Sequence, residues 1–280
     1  MEPLFMVWRT GLGGCKFVCV VIGWVMVGGR VEAGSELVTA ADLQTSPTLA
    51  LSAKQSPRGR GGVRVQEGLQ QLLSLGSVPA LAQVQRVVAL KLDAWKKAPR
   101  AATSLLSGLA KERRPWVAMH VLSCLEEGRV EANSFHYNAV MTACEKGSMW
   151  EHAVALLGAM LLALIEPTVV SFSAAVSACE KAGQWRAALL LLRSLAPWCI
   201  QPDVVICSAA LSACEKGGQW RAALELLRSM GELRVQPNVV TCSAAVSACE
   251  KAGQWQCALA LVGAMGSLRI EPSVVTCSAA

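Results

Sequence analysis

The tetrapeptide Ala-Cys-Glu-Lys begins at Ala143 and returns at Ala178, Ala213 and Ala248, 35 residues further on each time. Its flanks repeat with it. Val169-Val170-Ser171-Phe172-Ser173, Val204-Val205-Ile206-Cys207-Ser208 and Val239-Val240-Thr241-Cys242-Ser243 precede the last three copies, and Gly-Gln-Trp follows them at Gly183, Gly218 and Gly253. A fixed period of this length marks a stacked array, because one such unit cannot bury its own apolar face and needs a neighbour on each side.

Within residues 169–203, Phe172, Ala175, Val176 and Cys179 fall at i, i+3, i+4 and i+7, one face of an α-helix. Gly183 supplies a stop, since glycine accepts the left-handed conformation that closes a helix. Trp185, Ala188, Leu189, Leu192 and Leu195 make a second apolar stripe, which Pro202 ends, and Asp203 stands where the next helix needs an N-cap. The unit is a pair of antiparallel helices with short turns. Residues 204–238 and 239–273 read the same way. Residues 134–168 keep Phe135, Tyr137, Asn138, Cys144 and Trp150 in register, and 99–133 form a degenerate copy with Lys111 in place. Val65 to Leu75 and Leu81 to Lys97 predict two further helices, a worn repeat or an N-terminal cap. Val274 to Ala280 begin another first helix; an array stopping there leaves an apolar face open, which calls for a truncated product or a cover at that end. The expected fold class is all-α: a right-handed α-solenoid of 35-residue antiparallel helix-pair repeats over 99–280, a helical region over 65–98, and a disordered N-terminal leader.

Trp150, Trp185, Trp220 and Trp255 lie on the apolar stripe of the second helices and are expected in the core. The 12 cysteines do not predict disulfides. Cys144, Cys179, Cys214 and Cys249 repeat one helix position, and equivalent positions in stacked helices sit about 10 Å apart. A disulfide needs Cα atoms closer than about 7 Å. With no Cys-x-x-Cys and only His120, His136 and His152 as imidazoles, the thiols read as small buried residues in a reducing compartment.

The first residues differ in kind. Phe17 to Val27 are apolar apart from Gly23 and follow Arg9 and Lys16; 11 residues suit a signal peptide and are too few to span a bilayer. Small residues for cleavage follow at Gly28-Gly29 and Ala33-Gly34. Residues 35–64 are rich in Ser, Thr and Ala with Lys54, Arg58, Arg60 and Arg64, as in an organelle transit peptide. A signal-like leader over 1–34 followed by a transit-like segment over 35–64 is expected to address the chain to an organelle, with a plastid ahead of a mitochondrion; a membrane anchor or an arbitrary apolar start are the alternatives. No stable membrane insertion of the mature protein is expected. The net charge of +6 sits in residues 1–133, with 16 Lys plus Arg against 10 Asp plus Glu, because residues 134–280 carry 10 against 10.

The 35-residue period, the opening Val-Val-x-aromatic/Cys-Ser/Asn, and Pro167, Pro202, Pro237 and Pro272 just before each next unit resemble the pentatricopeptide repeat family. The tetratricopeptide signature Trp-x-x-Leu-Gly-x-x-Tyr is missing. The resemblance covers 134–280 well and 99–133 loosely. It implies single-stranded RNA as partner, read one base per repeat. It places the base-reading pairs at Thr103 with Asn133, Asn138 with Thr168, Ser173 with Asp203, Ser208 with Asn238, and Ser243 with Ser273. The implied register, 5′ to 3′, is adenine, pyrimidine, guanine, adenine, unassigned. Phe135, Val170, Val205, Val240 and Val275 would sandwich the bases, and Lys146, Lys181, Lys216 and Lys251 would face the phosphates. Chemistry alone offers another use for each: Asp203 and Asn238 as helix caps, the serines as small packing residues, the lysines as a solvated helix end.

The sequence contains no His-Glu-x-x-His, phosphate-binding glycine loop, deaminase zinc motif or acidic nuclease cluster, so no enzyme, cofactor or small-molecule substrate is expected. The expectation is an RNA-binding adaptor in organellar RNA processing, stability or editing, with RNA-processing proteins as further partners. Phosphate neutralisation dominates nucleic-acid affinity, and a neutral array predicts weak binding with a shallow salt slope. A protein-binding helical scaffold without RNA activity, or a truncated repeat copy, are the alternatives.

Overall fold

The computed structural model describes residues 60–267 and 270–279, with side chains from residue 66 onward except those of Ser267 and Val275. The leader, nearly all of the transit-like segment and the Val275 side chain fall outside the described residues. Helices α1 (Arg60–Ser74) and α2 (Leu81–Lys97) lead into the pairs α3 (Pro99–Lys111) and α4 (Pro115–Glu127), α5 (Ser134–Lys146) and α6 (Trp150–Leu162), α7 (Val169–Lys181) and α8 (Trp185–Arg193), α9 (Val204–Lys216) and α10 (Trp220–Glu232), and α11 (Val239–Lys251) and α12 (Trp255–Ser267), with α13 (Val274–Ser278) last. No strand occurs among the described residues. Each first helix packs against its own second helix and along the first helix of the next pair, which makes the array an α-solenoid.

The turns repeat as faithfully as the helices. After α7 the Gln184 N–H bonds the Cys179 carbonyl at 2.8 Å while Gly183 lies at φ +67°, and Gly218 and Gly253 repeat this at +64° and +67°. This is a Schellman closure, in which the last free carbonyls of the helix find donors. In the two preceding pairs Ser148 and Arg113 take the same left-handed position without glycine, at φ 56° and 53°. The second helices close alike: Val130, Ile165, Ile200 and Val235 each donate to a carbonyl five residues back.

The second stripe of residues 169–203 is cut shorter than its periodicity predicts. Helix α8 stops at Arg193 and a 3₁₀ turn covers Ala196–Trp198. Pro197 explains the stop, because it has no N–H for the Arg193 carbonyl and its ring collides there.

The first helices are buried almost all round. In α7, Ser171, Phe172, Ala174, Ala175, Val176, Ala178 and Cys179 are buried, and α9 and α11 repeat the pattern. A helix flanked on both sides by its own kind has room only for small side chains at those contacts, hence Ala and Cys. Cys144, Cys179, Cys214 and Cys249 are fully buried free thiols. No cluster of metal-ligating groups occurs among the described residues.

The tryptophans are not core residues in the sense expected. Trp150, Trp185 and Trp220 are half-buried and pack against the core, and Trp255 is 62% exposed. Trp185 rests on Gly217, at the end of the next first helix, where any added Cβ would strike its ring. Its neighbour Arg186 lies over the ring at 4.8 Å, and Arg221 lies over Trp220 at 5.0 Å. The indole is a clasp between units whose outer surface is covered by a cation rather than by core. Beyond Trp255 the described first helix is only 5 residues long, and that indole stays open.

Burial pushes the Cys144 and Cys179 thiols up to about 12 and those of Cys207 and Cys214 up to about 11, with Asp203 adding to the effect at Cys207. The folded state therefore holds protons that the unfolded chain releases near 9. Stability from these thiols is complete below pH 9 and is lost as pH rises from 9 towards 12. Urea midpoints should be level from pH 7 to 8.5 and fall above 9; level midpoints through pH 10.5 would show that the thiols are not enclosed.

Candidate functional site

A first helix buried on nearly every side leaves one strip uncovered. On α7 it holds Val170, Ser173, Ser177, Glu180 and Lys181, spaced at helical i, i+3, i+7 and i+10/11. The same strip on α9 is Val205, Ser208, Ser212, Glu215 and Lys216; on α11 it is Val240, Ser243, Ser247, Glu250 and Lys251; and on α5 it is Phe135, Asn138, Thr142, Glu145 and Lys146. Fold packing thus brings the second and fifth residues of each unit and its lysine onto one face. Thr142, Ser177, Ser212 and Ser247 share that face and went unnoticed in the sequence, although they stand four residues after each fifth residue. The apolar end is open: Phe135 is 69% exposed and Val170, Val205 and Val240 are 55–58% exposed. Helix propensity gives no reason to keep four equivalent apolar side chains in water.

The last residue of each unit caps the next first helix. Asn133 accepts from the His136 N–H at 3.1 Å, Asp203 from Ile206 at 2.8 Å, Asn238 from Thr241 at 2.9 Å, Thr168 from Ser171 at 3.4 Å and Ser273 from Thr276 at 3.2 Å. Capping requires an acceptor oxygen, which selects these residue types. It also decides what is left over. Asp203 spends Oδ1 on the cap and retains Oδ2, an acceptor; Asn238 spends Oδ1 and retains the Nδ2 amide, a donor.

A third residue joins this arrangement that the sequence did not single out. His136, Ser171, Thr241 and Thr276, each third in its unit, are the buried polar side chains of the array among the described residues. The Ser171 hydroxyl donates to Asn138 Oδ1 at 2.7 Å, and Asn138 Nδ2 reaches Thr168 Oγ1 at 3.4 Å. Thr276 Oγ1 lies 2.6 Å from the Ser243 hydroxyl and 2.9 Å from that of Ser273. The pairs Asn138–Thr168 and Ser243–Ser273 are thereby brought together. Between Ser173 and Asp203 the third residue is Ile206, without a hydroxyl, and no hydrogen bond joins that pair or Ser208 and Asn238 among the described residues. Ser208 instead donates back to the Val204 carbonyl at 2.6 Å, and Ser243, besides its contact with Thr276, lies 2.7 Å from the Val239 carbonyl. Thr103 turns to the Pro99 carbonyl at 3.4 Å, and Asn133 is held by His136, whose Nδ1 accepts from the Asn133 N–H at 3.2 Å while Nε2 donates to Pro99 at 3.2 Å. Burial pushes the His136 pKa down against the opposing pull of that carbonyl, which keeps the imidazole neutral.

The lysines are not bare. Lys181 Nζ lies 2.7 Å from Glu145, Lys216 2.7 Å from Glu180 and Lys251 2.8 Å from Glu215, each reaching back one unit. Position 110, which would serve Lys146, is alanine.

Uniform helix pairs stacked first helix on first helix define a helical-repeat solenoid with a recurring polar strip. A pentatricopeptide repeat model matches residues 135–162, and a pentatricopeptide repeat domain model matches 190–251 and 226–279. With the helix-pair fold, these matches support a pentatricopeptide repeat protein. No curated protein matches it in sequence. Among solved structures, the maize pentatricopeptide repeat protein PPR10 is similar with TM-score 0.56 and 24% identity over 78% of this chain and 34% of that one. The same protein in complex with an 18-nt psaJ RNA element gives 0.51 and 20% over 76% of this chain and 36% of that one. The pentatricopeptide domain of Arabidopsis thaliana protein-only RNase P 1, in complex with tRNA, gives 0.53 and 15% over 70% of this chain and 95% of that one. At these identities the likeness is one of fold, and the chain spans about a third of the maize protein.

Asp203→Ala removes the acceptor and should lower stability by about 1 kcal/mol, whereas Asp203→Asn keeps it and should stay within about 0.5 kcal/mol of the parent in urea unfolding. Equal losses in both would show that the carboxylate does not act as a cap.

Proposed function

We propose that this chain binds single-stranded RNA through its repeats, one base to each, and acts as an adaptor in organellar RNA processing, stability or editing. The observation that carries the reading is the uncovered strip: an exposed apolar side chain beside a hydroxyl or amide, with a capping residue whose spare atom is an acceptor or a donor, repeated in register. Exposed Phe135, Val170, Val205 and Val240 suit the flat face of a base, and the polar pairs suit its edge. In the neighbouring solved structures bound to RNA or tRNA the partner is a nucleic acid, which supports the same choice.

The family pattern then reads Thr103 with Asn133 as adenine, Asn138 with Thr168 as pyrimidine, Ser173 with Asp203 as guanine and Ser208 with Asn238 as adenine, leaving Ser243 with Ser273 unassigned. Lys146, Lys181, Lys216 and Lys251 would meet phosphates. Base stacking contributes roughly 1–3 kcal/mol per base in single-strand binders, and aliphatic valines belong at the low end. The reading includes no catalysis. An organellar site of action, a plastid ahead of a mitochondrion, rests on the leader and transit-like composition of residues 1–64. The electrical neutrality of residues 134–280 favours a second reading, a scaffold that binds a protein along the same strip.

Fluorescence anisotropy with the full chain separates the two. An oligonucleotide containing 5′-adenine-cytosine-guanine-adenine should bind more tightly than one with the guanine and last adenine exchanged, by about tenfold. Asp203→Asn should move the preference at the third base from guanine towards adenine. Equal or absent binding of both by a chain with full helical circular dichroism would favour the protein scaffold.

A further inference from the structure

The three lysine–glutamate contacts form a ladder that runs across the units on the strip proposed to meet RNA. Each rung joins the lysine of one Ala-Cys-Glu-Lys motif to the glutamate of the motif before it, at 2.7, 2.7 and 2.8 Å. The lysine side chains are 36–49% exposed and the glutamates 21–23%. Each ammonium is therefore reachable from solvent and has donors to spare, but its charge is already paired, and the carboxylate beside it repels a second anion. Exposed ion pairs of this kind are weak enough to exchange partners. The local sum of charge on the strip is zero at each rung, which removes the attraction that a phosphate chain would otherwise feel.

We propose that Glu145, Glu180 and Glu215 are built-in competitors of the RNA backbone, so that binding proceeds by exchange of the lysine's partner from carboxylate to phosphate. This rests on the RNA reading above and adds a regulating element to it. The ladder holds adjacent units in register when no RNA is bound and limits affinity for any RNA whose bases do not fit. Specificity thereby depends on the base contacts rather than on charge. Lys146 supplies an internal comparison: the place of its rung is taken by Ala110, and no ion pair engages it among the described residues.

The test uses the full chain and the oligonucleotide containing 5′-adenine-cytosine-guanine-adenine, titrated at several salt concentrations. The triple variant E145Q/E180Q/E215Q should bind about tenfold more tightly than the parent. Its log-log salt slope should be steeper, by up to about 2 for three lysines at about 0.7 each on a single strand, because in the parent salt also weakens the competing carboxylate pairs and offsets part of the loss. A control of equal charge change, E151Q/E166Q/E225Q, alters exposed glutamates that make no ion pair among the described residues, and should change affinity by less than about threefold with the slope unmoved. Equal gains in both triple variants would reduce the effect to net charge and overturn the proposal. A second comparison stands even if the triple variant is less stable. In the parent background K146Q should weaken binding several-fold more than K216Q, and adding the single change E180Q should bring the K216Q loss up to the K146Q level. Equal losses for K146Q and K216Q in the parent would overturn the ladder while leaving RNA binding itself intact. Absence of binding by the parent and by every variant would overturn both.

Discussion

The contact on which the structure depends is first helix against first helix, made through alanine and cysteine. Ala175, Ala178 and Cys179 on α7, with their counterparts on α9 and α11, are fully buried because each first helix has a neighbour of its own kind on either side. Larger side chains would wedge the units apart, and polar ones would lose water without gaining partners. Once that stack forms, the remaining surface of each first helix is settled by elimination. One strip is left, and whatever the array recognises through its first helices has to be recognised there.

Residues at the ends of this strip serve two ends at once. The caps stabilise the first helices, and the same oxygen that accepts the backbone N–H orients the rest of the side chain outward. An Asp cap leaves an acceptor and an Asn cap leaves a donor. Asp and Asn can thus replace one another at a cap without disturbing the helix beneath it. The buried hydroxyls of Ser171 and Thr276 tie a cap to the fifth residue of its unit, so that two of the five pairs are fixed in relative position. The lysine–glutamate rungs make the opposite end of the strip neutral at rest.

Much of this was legible in the sequence because it is local or strictly periodic. The 35-residue spacing, the glycine stops, the Asp203 and Asn238 caps and the small buried cysteines follow from patterns within one unit. What the sequence concealed depends on the register between units. Glu180 and Lys181 are adjacent in the chain and read as a solvated helix end, yet Lys181 pairs with Glu145, 36 residues earlier. Trp185 sits on an apolar stripe, but its burial is decided by Gly217 of the following unit. The break at Pro197 was visible as a residue, and its effect on α8 was masked by the leucine run before it.

The measurement that tests the account most directly is hydrogen–deuterium exchange of the full chain with and without a short single-stranded RNA. Protection should appear in the first turns of α5, α7, α9 and α11, where the caps and the exposed Phe135, Val170, Val205 and Val240 lie, and should leave α6, α8, α10 and α12 unchanged. A duplex RNA of the same length should produce none of it. Protection spread over the second helices, or no change at the first-helix starts under conditions where RNA is bound, would contradict the assignment of this strip as the recognition surface.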